Sequence, residues 1–290
     1  MSRSIAGKIK INSFADLVGG GEDGAVEVPL ADLHDFRNHP FRVVDDEKME
    51  ETVQSIKEHG VLVPGIARPA PGGGYELISG HRRKRACELA GQTTMPVLIR
   101  KYSDEEAVCV MVDANIQRED ILPSEKAKAY RMKFEAMKHQ GSKEGGRTLD
   151  TLGEAAGESG KTVQRYICLS NLSDGLLKYV DEKKLPIRSG VMISYLDRKE
   201  QGWVESVIRE TGTVVMPAPA KKIRDTFQMK ELTKALVKQI LSDDKPKLRK
   251  FVLNPEKLAG YFPDEVSEEE IEKTILKLLD EWKKNTVAAG

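Results

Sequence analysis

The chain has 290 residues, of which 39% are hydrophobic and 32% charged, with 46 basic and 46 acidic side chains. These totals predict a soluble globular protein of two or three modest domains. The neutral balance argues against a histone-like coating protein but permits a basic face on one domain. The N-terminus MSRSIAGKIKINSF lacks the apolar core of a secretion signal, and no apolar run is long enough to span a bilayer. We therefore expect an intracellular protein without a membrane partner.

Strands and helices are predicted to alternate over residues 26–102, after a polar and flexible lead-in at residues 1–25. The segment DDEKMEETVQSIKEHG places Met49, Val53 and Ile56 on one face, which predicts an amphipathic helix that ends at the following glycine. The stretch VLVPGIARPAPGGGYELISG predicts two strands, around Ile66 and around Tyr75 to Ile78, and MPVLIRKY predicts a third. This alternation predicts a small mixed α/β domain.

The strand signal almost disappears after this domain. Residues 103–212 predict a helical domain, and the prolines of TGTVVMPAPAKK predict a linker within a linker-and-helix segment, residues 213–246. Residues 247–290 form a separate segment, with a β-like run at Phe251–Leu253 and a helix after Ser267. The predicted fold class is therefore α+β, with an α/β domain, an all-α domain and a short β-α piece.

The segment YELISGHRRKRACELAG predicts an anion site. A strand is followed by Gly80, and a helix begins at once. The start of this helix carries three arginines, Arg82, Arg83 and Arg85. Free amide protons at a helix N-terminus favour an anion, and arginine adds bidentate contacts to phosphate. A solvated basic helix start that pairs with Glu88 or Asp113 explains the same residues, and the pattern alone does not decide between these readings.

The segment LDTLGEAAGESGKTVQRYICLSNL has the layout of a helix-turn-helix, with Gly157 at the turn. The second helix directs apolar residues inward: Val163, Ile167 and Leu169. It exposes polar ones: Lys161, Thr162, Gln164 and Arg165. Gln and Arg suit base edges, while Lys and Thr suit phosphates and nearby bases. An ordinary helical hairpin with a solvated face is the alternative. Arg188, on a later short helix, is a further candidate for DNA contact.

The C-terminal segment predicts a dimerisation element. Ser267 and Glu270 form a capping-box pattern. An apolar stripe follows: Ile271, Ile275, Leu278, Leu279 and Trp282. The stripe packs either on its own β-like run or on a second copy. So small a segment buries little surface alone, which favours a homodimer and, with it, a palindromic DNA site.

Three segments in order resemble the conserved boxes of the ParB partition family, over about residues 25–200. NHPFRV resembles the NPxQPR box, GHRRKRA the triphosphate-contacting GERRxRA box, and ANIQRED the ENIQRxDL box. The resemblance implies a cytidine-triphosphate (CTP) pocket, with magnesium as its expected metal. The residues that would line this pocket are Gly80, His81, Arg82, Arg83, Arg85, Asn115 and Arg118.

Two family glutamates are replaced here, by His81 and Ala114. In the family these acids, with the asparagine matching Asn115, are associated with holding magnesium. Their loss leaves Asn115 as the one matching metal ligand, since magnesium prefers hard oxygen ligands. We therefore expect nucleotide binding to survive more readily than hydrolysis.

The resemblance implies a sequence-specific DNA-binding partition protein: a homodimeric, CTP-responsive clamp that acts with a ParA-type ATPase in the cytoplasm, on a nucleoid or plasmid. A nucleoid-occlusion protein or transcriptional regulator of the same superfamily is the alternative. The third reading is a phosphoryl-transfer enzyme of the sulfiredoxin or serine-kinase-like fold. Sulfiredoxin-like chemistry needs a cysteine beside the box histidine, whereas Ser79 and Gly80 precede His81.

Overall fold

The computed structural model describes residues 24–118, 120–139 and 145–243, and, nearer the C-terminus, 261–262, 266–267, 270–271 and 273–278. The chain divides into two units, Met1–Asp243 and Asp244–Gly290. The predicted lead-in lies almost wholly outside the described residues, as does the predicted β-like run at Phe251–Leu253. None of the helices in the described ranges is both long and apolar enough to cross a membrane.

Five strands in the first unit form one mixed sheet in the order β1-β5-β3-β4-β2. They are β1 (Val26–Pro29), β2 (Leu33–Asp35), β3 (Gly65–Pro69), β4 (Tyr75–Ser79) and β5 (Thr94–Ile99). β1 is antiparallel to β5, β5 is parallel to β3, β3 is antiparallel to β4, and β4 is parallel to β2. The strands predicted around Ile66, around Tyr75 to Ile78 and in MPVLIRKY are therefore confirmed.

Helix α1 (Glu47–His59) forms where the amphipathic pattern predicted it. The Asp46 carboxylate caps it by accepting a 2.9 Å hydrogen bond from the Met49 amide. Gly60 ends it with φ 72°, a conformation that favours glycine. Met49 and Ile56 are buried, so the apolar face is the one that packs on the sheet.

The remaining helices are α2 (His81–Ala90), α3 (Asp104–Asp113), α4 (Pro123–His139), α5 (Gly145–Ala156), α6 (Gly160–Leu169), α7 (Asp174–Asp181), α8 (Ile187–Ile193), α9 (Arg198–Thr211), α10 (Pro217–Gln228) and α11 (Lys234–Asp243). No residue that the structure describes after β5 belongs to a strand. The predicted change from mixed to all-helical structure is confirmed.

The sheet has an apolar core on each face. On one face, Leu77 and Met95 pack with residues of α1 and α2. On the other face, Ile78 packs with Met111 of α3 and Tyr130 of α4. The second core also includes residues of α5 and α6. The sheet and the helix-turn-helix region therefore share one continuous core.

The segment at residues 213–246, predicted as a linker followed by a helix, contains two helices. Helix α10 begins at Pro217, a position where the missing proline amide costs no hydrogen bond. Val215 and Ile223 are fully buried with residues of α11 in a third apolar cluster. The prolines that suggested a linker start a helix here, because the apolar residues around them have a core to join.

Helices α5 and α6 meet at a corner that requires small residues. Gly157 has φ 67°, and the Glu158 amide donates a 2.8 Å hydrogen bond to the Gly153 carbonyl. A Cβ on Gly153 would lie 2.2 Å from the Glu158 carbonyl oxygen. Ser159 caps α6 by accepting a 3.2 Å hydrogen bond from the Thr162 amide.

We expect Gly153→Ala to destabilise the protein by about 1–3 kcal/mol or more, because the added methyl group meets backbone rather than a movable side chain. Equilibrium urea unfolding measures the change. Gly202→Ala in α9 is the matched control: nothing lies within 4 Å of its Cβ, so it should gain about 0.5–1 kcal/mol. Equal effects of the two substitutions would contradict the close packing of this corner.

Candidate nucleotide pocket and DNA-binding helices

The turn between β4 and α2 is built on Gly80. This residue has φ 112°, and a Cβ there would lie 3.2 Å from both the Gly65 Cα and the Met95 Cε. Only glycine therefore fits without a shift of the strands. The turn places the N-terminus of α2, which begins at His81, beside a cavity.

The cavity has a volume of about 140 Å³. Of the predicted nucleotide-binding residues, six line it: Gly80, His81, Arg82, Arg83, Asn115 and Arg118. The other residues of its wall are His39, Arg42, Val43, Ser79 and Ala114. The three segments that resembled family boxes therefore converge on one cavity.

In the cavity wall, Arg82 pairs with a carboxylate, whereas Arg83 binds backbone carbonyls. Arg82 donates a 3.0 Å hydrogen bond to Asp46, which lowers the pKa of that carboxyl. Arg83 donates to the backbone carbonyls of Val63 and Pro64, the latter at 2.7 Å. Burial lowers the pKa of Arg83. Arg83 therefore holds the loop before β3 in place. Its positive charge is not neutralised by these hydrogen bonds, because the carbonyl acceptors are uncharged.

Arg85 lies outside the cavity wall. Its guanidinium binds both oxygens of Asp45, at 2.7 and 3.1 Å, and also reaches Glu88 at 3.2 Å. The Asp45 hydrogen bond raises the pKa of Arg85. The pairing with Glu88 agrees with the alternative reading of the basic helix start, whereas Asp113 pairs with Lys133 instead.

Asn115 and Arg118 come to the cavity from the turn after α3. The Asn115 side-chain amide donates a 2.8 Å hydrogen bond to the Met111 carbonyl, so its oxygen is the atom left to accept. Arg118 is exposed and, among the described residues, has neither an ion pair nor a side-chain hydrogen bond. Of the arginines in the wall, it is the one that an incoming anion could bind without breaking an existing contact.

Two histidines stack in the cavity wall. The rings of His39 and His81 have centroids 3.9 Å apart, and the Nε2 atom of each is buried with no hydrogen-bond partner among the described residues. Burial lowers the pKa of His81 from 6.5 to about 3 and also lowers that of His39. His39 Nδ1 lies 2.7 Å from the Phe41 carbonyl oxygen, so in the neutral ring Nδ1 carries the proton and Nε2 has a free lone pair.

The low pKa of His81 predicts acid sensitivity. Between pH 6.5 and about 3 the unfolded chain binds a proton at this residue that the folded chain does not, so stability falls as pH falls through this window. We expect His81→Asn to lose less stability per pH unit than the wild type, by at most about 1.4 kcal/mol per pH unit. Urea unfolding at pH 7.5, 6 and 5 measures the slopes.

The matched control is His59→Asn, at the exposed C-terminal end of α1, which should keep the wild-type slope. The burial argument fails if His81→Asn and the wild type have the same acid dependence.

The cavity does not fit magnesium. Within the described part of the chain, no aspartate or glutamate lines it, and the side-chain oxygens come from Ser79 and Asn115. No cluster of three or more His, Cys, Asp or Glu side chains that could hold a metal occurs among the described residues. Magnesium prefers several hard oxygen ligands, carboxylates above all, so the predicted weak role of Asn115 has no supporting ligand set.

Arg42 is a residue of the cavity wall that was not among the predicted site residues. Arg42 lines the cavity, and its Nε donates a 3.2 Å hydrogen bond to Glu125, a nearly buried residue of α4. Its guanidinium also lies 3.6 Å from Asp181 at the end of α7. The available signal was its place in NHPFRV, the segment already matched to a family box, which also contains His39.

Helix α6 has the predicted inner and outer faces. Its buried side chains are Val163, Ile167 and Leu169. Lys161, Gln164 and Arg165 are exposed, and Thr162 is half-buried, with its hydroxyl 2.9 Å from that of Ser159. Arg188 is exposed on α8, a helix that packs against α6. These five candidate DNA contacts remain predictions, on a surface that leaves four of them exposed.

The C-terminal stripe is described only in part. Ser267 and Glu270 make the predicted capping box, with both hydrogen bonds at 3.4 Å. Ile271 and Ile275 are half-buried and Leu278 is 58% exposed. Leu279 and Trp282 lie outside the described residues. The predicted dimerisation role therefore remains a prediction.

The fold and site define a class of protein in which a mixed α/β domain with a basic cavity shares its core with a helix-turn-helix. Residues 18–116 match the family described as the ParB N-terminal domain. A probable chromosome 1-partitioning protein ParB of Deinococcus radiodurans is 34% identical over 63% of this chain and 60% of its own length. The chromosome-partitioning protein Spo0J of Thermus thermophilus is 30% identical over 69% of this chain and 71% of its own length. The chain belongs to the ParB family.

The similar proteins also include a nucleoid occlusion protein and a truncated ParB of known structure. A nucleoid occlusion protein of Halalkalibacterium halodurans is 28% identical over 66% of this chain and 65% of its own length. Among solved structures, the C-terminally truncated ParB of Caulobacter crescentus complexed with CTP-gamma-S is 28% identical, with a TM-score of 0.31 over 60% of this chain and 93% of that one. The matches span between 60% and 71% of the three relatives' length.

Proposed function

We propose that this chain is a sequence-specific DNA-binding partition protein whose state responds to CTP. The observation that carries the proposal is the junction at Arg42, which lines the anion cavity and also pairs with residues of α4 and α7. One side chain thus connects a candidate nucleotide site to the helices around the helix-turn-helix.

DNA reading is assigned to α6. Gln164 and Arg165 are exposed near the middle of the helix, where they suit base edges in a major groove, and Lys161 suits a phosphate. Family membership and the relatives' names as partition proteins support this assignment. The proposed target is a palindromic duplex bound by a homodimer, with the C-terminal stripe as dimer contact.

CTP is assigned to the cavity at the N-terminus of α2. Exposed amides, the helix dipole and arginine side chains at such an end favour phosphate. The base identity comes from the family resemblance. Because none of the described residues in the cavity wall offers a carboxylate as a general base, we assign binding rather than hydrolysis.

A ParA-type ATPase is the proposed protein partner, and the nucleoid or a plasmid the proposed location. Nucleoid occlusion is the second candidate, which the relative in Halalkalibacterium halodurans favours. A gene for a ParA-like ATPase beside this one would support partition over occlusion.

Arg118→Ala tests the nucleotide assignment. Since Arg118 lines the cavity without an ion pair in the described part of the chain, its loss should leave the fold intact and weaken CTP binding about tenfold or more. Isothermal titration with CTP in magnesium-containing buffer, with ATP, GTP and UTP alongside, gives the affinities. Arg83→Ala is a poorer test, because Arg83 also holds the loop before β3.

Arg131→Ala is the matched control, since this half-buried arginine of α4 pairs with Glu135 and does not line the cavity. Equal CTP affinity for the wild type and Arg118→Ala would place the nucleotide elsewhere.

Arg165→Ala and Lys161→Ala test the DNA assignment. A binding site is first selected from random-sequence duplexes. Loss of a base contact at Arg165 should then cost about 1–3 kcal/mol on that site and much less on unrelated DNA. Loss of a phosphate contact at Lys161 should weaken both and reduce the salt slope by about one. Fluorescence anisotropy over a salt series measures both effects.

Arg209→Ala, an exposed arginine of α9, serves as the control and should bind as the wild type does. If Arg165→Ala weakened selected and unrelated DNA equally, base reading by this residue would be wrong.

A further inference from the structure

Among the residues that the structure describes, the walls of the cavity contain cations and neutral groups but no acid. Two acids on neighbouring segments are already used: Asp46 pairs with Arg82, and Asp113 pairs with Lys133. The side-chain oxygens that remain, from Ser79 and Asn115, are neutral and too few for the ligand set of a divalent cation. The donor set therefore disagrees with the metal that the family resemblance implies.

The positive charge of the cavity walls also argues against a bound divalent cation. Four guanidinium groups line the cavity, from Arg42, Arg82, Arg83 and Arg118. Arg83 binds only backbone carbonyls and Arg118 has no ion pair among the described residues, so two of the four charges are not neutralised by acids. A positive wall repels a divalent cation and attracts a polyanion. A triphosphate carries about four negative charges near neutral pH. The charges of Arg83 and Arg118 are available to it, whereas Arg42 and Arg82 already pair with Glu125 and Asp46.

The histidine pair completes the wall without adding a magnesium ligand. Both Nε2 atoms are buried and unpartnered, and the Phe41 carbonyl keeps the proton of His39 on Nδ1. Imidazole nitrogen suits zinc, copper or nickel, whereas magnesium takes oxygen. His81 also stands at the first position of α2, where a carboxylate would be favoured by the helix dipole.

We propose that this pocket binds a nucleoside triphosphate as the free polyanion, without a divalent cation, and that the guanidinium groups of Arg83 and Arg118 take the place of the metal. This inference rests on the proposed function, because it concerns the same site. It adds the ionic form of the ligand: the uncomplexed triphosphate rather than its magnesium complex.

The test is a calorimetric titration of the full chain with CTP, once with magnesium and once with EDTA. We expect the two dissociation constants to agree within about threefold. A greater loss of affinity in EDTA would overturn the inference and leave the proposed function standing, as would a loss that zinc restores. Absence of binding in every buffer would overturn the proposed function, and this inference with it.

His81→Glu provides a second, independent readout. A carboxylate at this position should repel the triphosphate in EDTA, weakening binding about tenfold, and magnesium should restore it. His59→Glu makes the same charge change at the exposed end of α1 and should bind CTP equally in both buffers. If a folded His81→Glu variant bound CTP equally with magnesium and with EDTA, the argument from the metal ligands in the cavity would be wrong.

Discussion

The arrangement of the first unit depends on one nearly buried carboxylate, that of Glu125. It accepts hydrogen bonds from the Arg42 amide at 2.9 Å, the Arg42 Nε at 3.2 Å and the Leu122 amide at 3.1 Å. Asp181 lies next to it and accepts bonds from the amide and hydroxyl of Ser124. A buried charge without partners is strongly destabilising, so these bonds hold the segment before α1, the start of α4 and the end of α7 in one geometry. A phosphate that binds Arg42 must compete with these carboxylates, because the donors of a guanidinium are fixed in number.

The basic start of α2 has several roles within one turn. Cations in the first turn of a helix oppose its dipole, and acids from other segments offset this cost. Arg82 and Arg85 pair with Asp46 and Asp45, while Lys84 binds Asp35 at 2.9 Å. Part of the basic pattern therefore stabilises the fold, and the part that faces the cavity is smaller than the sequence suggests. The pairing interpretation holds for Arg85, which contacts Glu88, whereas the anion site at the residues that face the cavity stays a prediction.

Local sequence patterns predicted the helices and strands well, but they could not predict contacts between residues far apart in the chain. The caps of α1 and the buried face of α6 follow from residues within one or two turns, so the sequence alone specifies them. The contact of Arg42 with Glu125 joins positions 83 residues apart, and no periodicity indicates it. Proline gives the same local signal in a linker and at a helix start, so the sequence around Pro217 predicts a linker. The burial of Val215 beside it decides for the helix.

The helix-turn-helix corner also limits which residues of α6 can read DNA. Glu158 accepts a 2.9 Å hydrogen bond from the Tyr130 hydroxyl and pairs with Lys126, so the corner is fixed to α4. The hydroxyl of Thr162 faces that of the capping residue, Ser159. The side chain of Thr162 supports the cap, so it is less free to turn towards a base. Gln164 and Arg165 lie farther along α6 and are exposed. On the proposed DNA assignment, a rigid corner therefore favours base contacts from the middle of α6, while the first turn holds the helix in position.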